Sequence, residues 1–320
     1  MDAPGGVANA ADPDYSIAYL PVGSVGYDYS IGTYEVTVAQ YLAFLNDVAT
    51  KDTNGFFWTS KLETLNGMTR TPTGGGDYSY GVTQTSSLSK PVFGVTFWNT
   101  VRFCNWLTNT NLGLSYSGED ITEYGAYFLN YRPSTSNSAD LTRDLSSLSA
   151  DHAGEFAVVL PNSDEWHKAA FYDPTKDGIG GYWDYATKHN SYTVLNTTAA
   201  DGVHYVGYQQ GTPADVGSYV NATSFYGAYD MTGNAQEWIE ALADSSDLRL
   251  MRGGAYNSYG ANRLKRDFYT MAGANETPDD TGFRIALVEI PQAVPEPGTY
   301  ALFGGLGALA LAVAARRRKK

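Results

Sequence analysis

Gly227-Ala228-Tyr229-Asp230-Met231-Thr232-Gly233-Asn234-Ala235-Gln236-Glu237-Trp238 is the stretch from which the rest of the chain is read. Its Gly-Asn turn leads into an apolar run, and it does not stand alone. Upstream lie Tyr34-Glu35-Val36-Thr37 with Ala39-Gln40-Tyr41, then Pro91-Val92-Phe93-Gly94-Val95-Thr96-Phe97-Trp98, and Leu160-Pro161-Asn162-Ser163-Asp164-Glu165-Trp166. Downstream follow Met251-Arg252-Gly253-Gly254-Ala255-Tyr256 and Gly282-Phe283-Arg284-Ile285-Ala286.

Taken in order, the six blocks resemble the formylglycine-generating enzyme (sulfatase-modifying factor) family. The match spans roughly residues 14–290 and implies one α+β domain of the C-type-lectin-like type, with small twisted sheets, two or so main helices and much irregular chain. On this reading residues 1–13 are a partial N-terminal segment, residues 291–299 a linker, 300–315 a membrane helix and 316–320 a basic tail.

Composition agrees with a loop-rich globular body. There are 320 residues, 25 Tyr and 34 Gly, with 17% charged, enough chain for a sizeable core and too apolar for disorder. Length alone allows one large domain or two smaller ones. Net charge is −13, although five of the basic residues are the last five, Arg316 to Lys320. The body is therefore more acidic than the total, which leaves no electrostatic footprint for nucleic acid.

Local patterns place the main elements. Thr37 caps a helix through about Ala49, with Val38, Tyr41, Leu42, Leu45 and Val48 on its apolar face. Thr96 caps a second helix, whose stripe Phe97, Val101, Cys104 and Leu107 buries the one cysteine as a small hydrophobe. Asn162 and Glu165 have capping-box spacing ahead of a third. Thr71–Ser89 reads as a surface loop around Gly74-Gly75-Gly76, Ser115–Ala153 as a weakly ordered insertion, and Asp173–Asp184 as a turn-rich link.

The chemistry follows from what is missing. Active members of the resembled family carry two cysteines after Arg-Gly-Gly that bind copper. Here Ser258 falls at the first position and Arg263, or a neighbour such as Ala261, at the second. Copper(I) requires soft thiolates, which neither Ser nor Arg supplies, so copper is not expected. The segment is expected to floor a cleft without that chemistry, lined by Tyr256, Asn257, Ser258 and Asn262. The resemblance also implies calcium held by the Asn234 and Glu237 side chains, since hard oxygen ligands suit Ca²⁺. The four histidines, His152, His167, His189 and His204, show no metal-pair spacing, and His167 reads as a surface or satisfied residue.

At the C-terminus Pro295-Glu296-Pro297 precedes the apolar run Tyr300–Ala315 and then the cations. As a helix the run would span about 24 Å, short of a ~30 Å hydrocarbon core unless flanking cations snorkel or the bilayer thins. The arrangement resembles the PEP-CTERM sorting signal and implies recognition by an exosortase-type peptidase. Cations on the cytoplasmic side place the body across the membrane, in the envelope or outside the cell. The first residues have neither a basic n-region nor an apolar h-region, so the export leader is expected upstream of, or trimmed from, this start.

Two functions remain open. One is an exported, non-catalytic module binding polysaccharide, matrix or protein. The other is a divergent enzyme with an unrecognised site.

Overall fold

Among the described residues, the Gly-Asn turn at Gly233-Asn234 leads into an inner strand of the largest sheet. A computed structural model describes residues 9–17, 20–132, 138–191, 212–243, 247–258 and 260–292. In chain order it begins with a small ribbon, β1 (Ser16–Ile17) and β2 (Leu20–Pro21), then β3 (Tyr29–Ile31), α1 (Val38–Val48) and α2 (Ser60–Asn66). A hairpin, β4 (Met68–Gly74) and β5 (Asp77–Val82), leads to the long helix α3 (Phe97–Asn111) and the single-turn helices α4 (Asp120–Glu123) and α5 (Ser149–His152). Next come β6 (Phe156–Val159), α6 (Ser163–Phe171) and the ribbon β7 (Tyr172–Asp173) with β8 (Gly181–Tyr182). The last strands are β9 (Gln236–Leu242), β10 (Leu248–Arg252), β11 (Thr270–Gly273), β12 (Thr281–Phe283) and β13 (Ala286–Glu289).

β11-β10-β9-β12 form a four-stranded sheet, antiparallel except where β12 runs parallel to β9. β3-β13-β6 form an antiparallel three-stranded sheet. Only Arg284 and Ile285 separate β12 from β13, so one short link ties the two sheets together.

Helix starts are where side chains can satisfy the orphan N–H groups of a first turn. Thr37 and Gln40 close a capping box on α1, Asn162 and Glu165 close another on α6, and Thr96 accepts from the Asn99 N–H on α3. Phe44 joins the predicted stripe of α1 in the core. Phe103 and Phe283 meet edge to face at 5.2 Å, and Phe97 meets Trp238 at 6.2 Å, so α3 lies against the strand ends of β9 and β12. Cys104 is fully buried on that helix.

Three expectations need correction. Thr71–Ser89 is not an open loop: its first part pairs as the β4–β5 hairpin, turning through Gly74–Gly76 at positive φ. Its Thr, Ser and Gly content hid the two-residue alternation. The described part of the Ser115–Ala153 stretch is anchored in the core, with Tyr127, Leu129, Leu141 and Leu148 buried. Asn105 and Asn109 of α3 supply the reason, since their amides hydrogen-bond the backbone oxygens of Ile121, Thr122, Tyr124 and Tyr127. The domain also reaches further back than residue 14. Asn9 bonds Gly23 and Val25 of the backbone, and Asp12 is buried against Arg266 and His167.

No helix among the described residues is long and apolar enough to cross a membrane. The sorting motif Pro295-Glu296-Pro297, the apolar run Tyr300–Ala315 and the basic tail lie outside the described residues.

Candidate functional site

β10 ends at Arg252, and the two glycines after it turn the chain sharply. Gly254 has φ +67°, and a Cβ there would meet the Arg263 carbonyl oxygen at 2.5 Å, so only glycine fits. The turn is then locked by Ser258, whose N–H donates to the Ala255 carbonyl while its Oγ accepts from the Ala255 N–H at 2.9 Å. Ser258 is buried and satisfied rather than presented to a cleft.

The other expected lining residues diverge. Tyr256 packs edge-on against Phe93 at 6.0 Å, and Asn257 reaches the Asp280 carboxylate. Asn262 instead lines an open groove with Asp184, Tyr185, Asn190 and Lys265. Tyr256, Asn257 and Ser258 do not line that groove beside Asn262. Neither does Cys104 approach thiolate chemistry: burial pushes its thiol well above the usual range. The residues at and around Arg-Gly-Gly therefore do not fit copper.

Arg252 turns inward. Its Nη2 donates to His167 Nδ1 at 2.9 Å and to the Arg266 carbonyl at 2.7 Å, and its Nη1 lies 3.0 Å from the Tyr15 hydroxyl. A guanidinium only donates, so Nδ1 accepts and the proton sits on Nε2, directed at Asp12 Oδ2 at 3.0 Å. His167 is thus neutral. Burial, with Arg252 and Arg266 beside it, outweighs the Asp12 contacts and lowers it from the ordinary 6.5 to about 4. Rings of Tyr15, Phe171 and Tyr182 enclose it. This is a satisfied buried histidine with no access for a substrate.

Asn234 and Glu237 are where the sequence put them, in the turn before β9 and at its second residue, but they do not fit calcium. Both Glu237 carboxylate oxygens are taken by Arg284, at 2.6–2.9 Å, and Oε2 also accepts from Trp166 Nε1 at 2.7 Å. A guanidinium occupies the place of the cation. The Asn234 side-chain oxygen Oδ1 accepts from the Ala214 N–H, and its backbone carbonyl from the Tyr256 N–H. Among the described residues no group of three or more His, Cys, Asp or Glu side chains is arranged to hold a metal ion.

Two features escaped the sequence reading. Arg284 is completely buried and also donates to the carbonyls of Gly32 and Tyr229, so it links β3, β9 and the β12–β13 junction. Beside it lie the buried carboxyls Glu35 and Asp230, within hydrogen-bond reach of each other. Burial and then Asp230 push Glu35 well up, and burial pushes Asp230 up, which favours a proton on the pair. Asp230 accepts from the Gly217 N–H, whereas Glu35 has no other partner and holds the proton. A charged residue inside the apolar block Gly282–Ala286 was the available signal. The second feature is an aromatic groove in the insertion, lined by Tyr116, Tyr124 and Phe128, which no motif marked.

This is a mixed α/β domain in which a Gly-Asn turn, a buried Arg–Glu pair and an Arg-Gly-Gly turn knit two small sheets to three main helices. The chain belongs to the sulfatase-modifying factor enzyme 1-like domain family, whose model matches residues 8–288. The PEP-CTERM protein-sorting motif matches residues 293–319 and marks an exported protein. Similar solved structures include Treponema denticola variable protein 1, 21% identical with a TM-score of 0.57 over 91% of this chain and 95% of that one. CarF is 18% identical with a TM-score of 0.55, over 89% and 96% respectively. At these identities the likeness is one of fold. Among curated proteins none matches the chain.

Proposed function

We propose that the protein is an exported envelope or extracellular module whose C-type-lectin-like domain binds rather than catalyses, with polysaccharide as its ligand class. The observation that carries this reading is Ser258, which stands where the family's first copper thiolate is expected and is hydrogen-bonded into its own turn. Copper supplies oxygen activation in that family, and no pair of thiolates is available in a chain with one cysteine. The acidic, loop-rich surface on a rigid core supports a display role.

The test is direct. Full-length protein, loaded with copper under oxygen, is expected to leave a Cys-containing sulfatase peptide unmodified by mass spectrometry. Formylglycine that depends on this protein and vanishes in Cys104→Ser would overturn the reading.

Sorting is proposed to run through the C-terminal motif. An exosortase-type peptidase would act near Pro295-Glu296-Pro297 while Tyr300–Ala315 holds the chain in the membrane. Replacing the three residues with alanine is expected to stop maturation in a host that carries the peptidase. Identical processed sizes for both proteins on an immunoblot would count against it.

A further inference from the structure

The insertion after α3 carries a cleft of about 560 Å³, within the ~300–1,000 Å³ range of small-ligand sites. Its wall is a row of three aromatic rings. Tyr116 stacks on Tyr124 at 5.9 Å, and Tyr124 leans on Phe128 at 5.6 Å. Phe128 is 62% exposed and Tyr116 41%. Facing the row are Asp144, Ser147 and Asp151, all exposed.

The row is built, not draped. Gly125 sits so close to α3 that a Cβ would meet Asn105 Oδ1 at 2.9 Å. Asn105 clamps the backbone of Tyr127 from both sides, and Asn109 holds the Tyr124 carbonyl. Tyr127 itself is buried and donates to Glu240 of β9 at 2.6 Å. Across the cleft, the Asp144 N–H bonds the Ala126 carbonyl at 2.9 Å, and Asp144 Oδ1 accepts from the Ser146 N–H at 2.9 Å. The aromatic segment is therefore fixed to the core, and Asp144 is tied to that segment, before any ligand arrives, which lowers the ordering cost of binding.

We infer that this groove binds an uncharged polysaccharide of hexopyranose units, with the sugar C–H faces on Phe128 and Tyr116 and the hydroxyls on Asp144, Asp151 and Ser147. The inference rests on the proposed binding role and assigns it a place. An aromatic face is electron-rich and apolar, so it suits the C–H face of a pyranose. Carboxylates only accept, and sugar hydroxyls donate to them in charge-assisted bonds. Ser146 hydrogen bonds hold Asp144 below the usual carboxylate range, which keeps it an acceptor. An anionic polymer would meet two carboxylates here and a chain of net charge −13.

Affinity electrophoresis of the full chain in mild detergent, through gels holding glucomannan, dextran, alginate or chitosan, tests it. Wild type is expected to be retarded by an uncharged polymer. Phe128→Ala with Tyr116→Ala, or Asp144→Asn with Asp151→Asn, should weaken that retention at least tenfold with the melting temperature unchanged. Ile179→Ala, altering a residue 89% exposed elsewhere on the surface, should bind as wild type. Equal retention of wild type and the groove variants overturns this site and leaves the binding role standing. A folded wild type retarded by no polysaccharide overturns polysaccharide binding itself. Retention on chitosan alone, lost at about 0.5 M salt where surface charges are screened, overturns the groove in favour of plain ion exchange.

Discussion

Arg284→Met is expected to lower unfolding free energy by about 3–5 kcal/mol, the usual loss when one partner of a buried ion pair is removed. The side chain is fully buried and makes bonds to both oxygens of Glu237 and to two backbone carbonyls. Its removal strands Glu237 with the Trp166 indole as its one remaining donor, next to Glu35 and Asp230. It also releases the carbonyls of Gly32 and Tyr229 at the seam between the two sheets. For a domain of this size the loss corresponds to roughly 6–20 °C in melting temperature. Lysine keeps the charge but not the fork, so Arg284→Lys should fall between the two. Adding Glu237→Gln to Arg284→Met should recover part of the loss, since the stranded charge is gone and the indole keeps an acceptor. Chemical denaturation of the four proteins checks this. A loss under about 1 kcal/mol for Arg284→Met would show that the pair is not what holds the sheets together.

How much of this was legible in the sequence depends on the range of the interaction. Thr37 was readable as a helix cap and Asn162–Glu165 as a capping box, each within three residues of the helix start, while the part Gln40 plays in the first came from the structure. The apolar stripes of α1 and α3 follow from helical period alone. The insertion was misread because its anchoring is remote: Arg143 bonds Glu165 and Glu240, and Tyr127 bonds Glu240, across chain separations that no local pattern encodes. A stretch rich in Ser, Thr and Asn looks solvated until Asn105 and Asn109 are seen to face it. The same limit explains the site. Asn234 and Glu237 were placed correctly in the turn and strand, but whether Glu237 met a metal or an arginine depended on Arg284, which arrives from the far end of the domain. Ser258 was recognised as the wrong atom for copper, yet its inward bond to Ala255 decided whether it could line a cleft at all.

In a Glu35→Gln background, stability is expected to fall more steeply than in wild type as pH drops from 6.5 to 4, with His167 contributing about 3 kcal/mol to the fall. His167 and the buried carboxyls, Glu35 foremost, pull in opposite directions over this range. His167 has its folded value lowered, chiefly by burial, from 6.5 to about 4. Between those limits the unfolded chain takes up a proton that the folded protein refuses, so stability is present above 6.5 and drains away on acidification. Glu35 has its folded value raised, chiefly by burial, above the ordinary 4.5. Above 4.5 the unfolded chain releases a proton that the folded protein keeps, so this contribution is full at low pH and is lost as pH rises toward the folded value. The slopes have opposite sign, and in the wild type they offset each other across the overlap, giving a shallow profile. The glutamine substitution removes the Glu35 titration while its carboxamide can still donate to Asp230. The His167 slope is then opposed only by the other carboxyls that burial raises, Asp230, Asp280, Asp164 and Asp52, so the profile steepens. Asp12, held below 3.8 because the His167, Asp14 and Arg266 contacts outweigh its burial, titrates beneath the window. Adding His167→Asn should flatten the profile again, at a lower overall stability. Urea denaturation at half-unit steps from pH 4 to 7 provides the comparison. Equal profiles with and without His167→Asn in the Glu35→Gln background would mean that His167 takes up its proton in the folded protein, against the neutral imidazole that Arg252 and the surrounding rings impose.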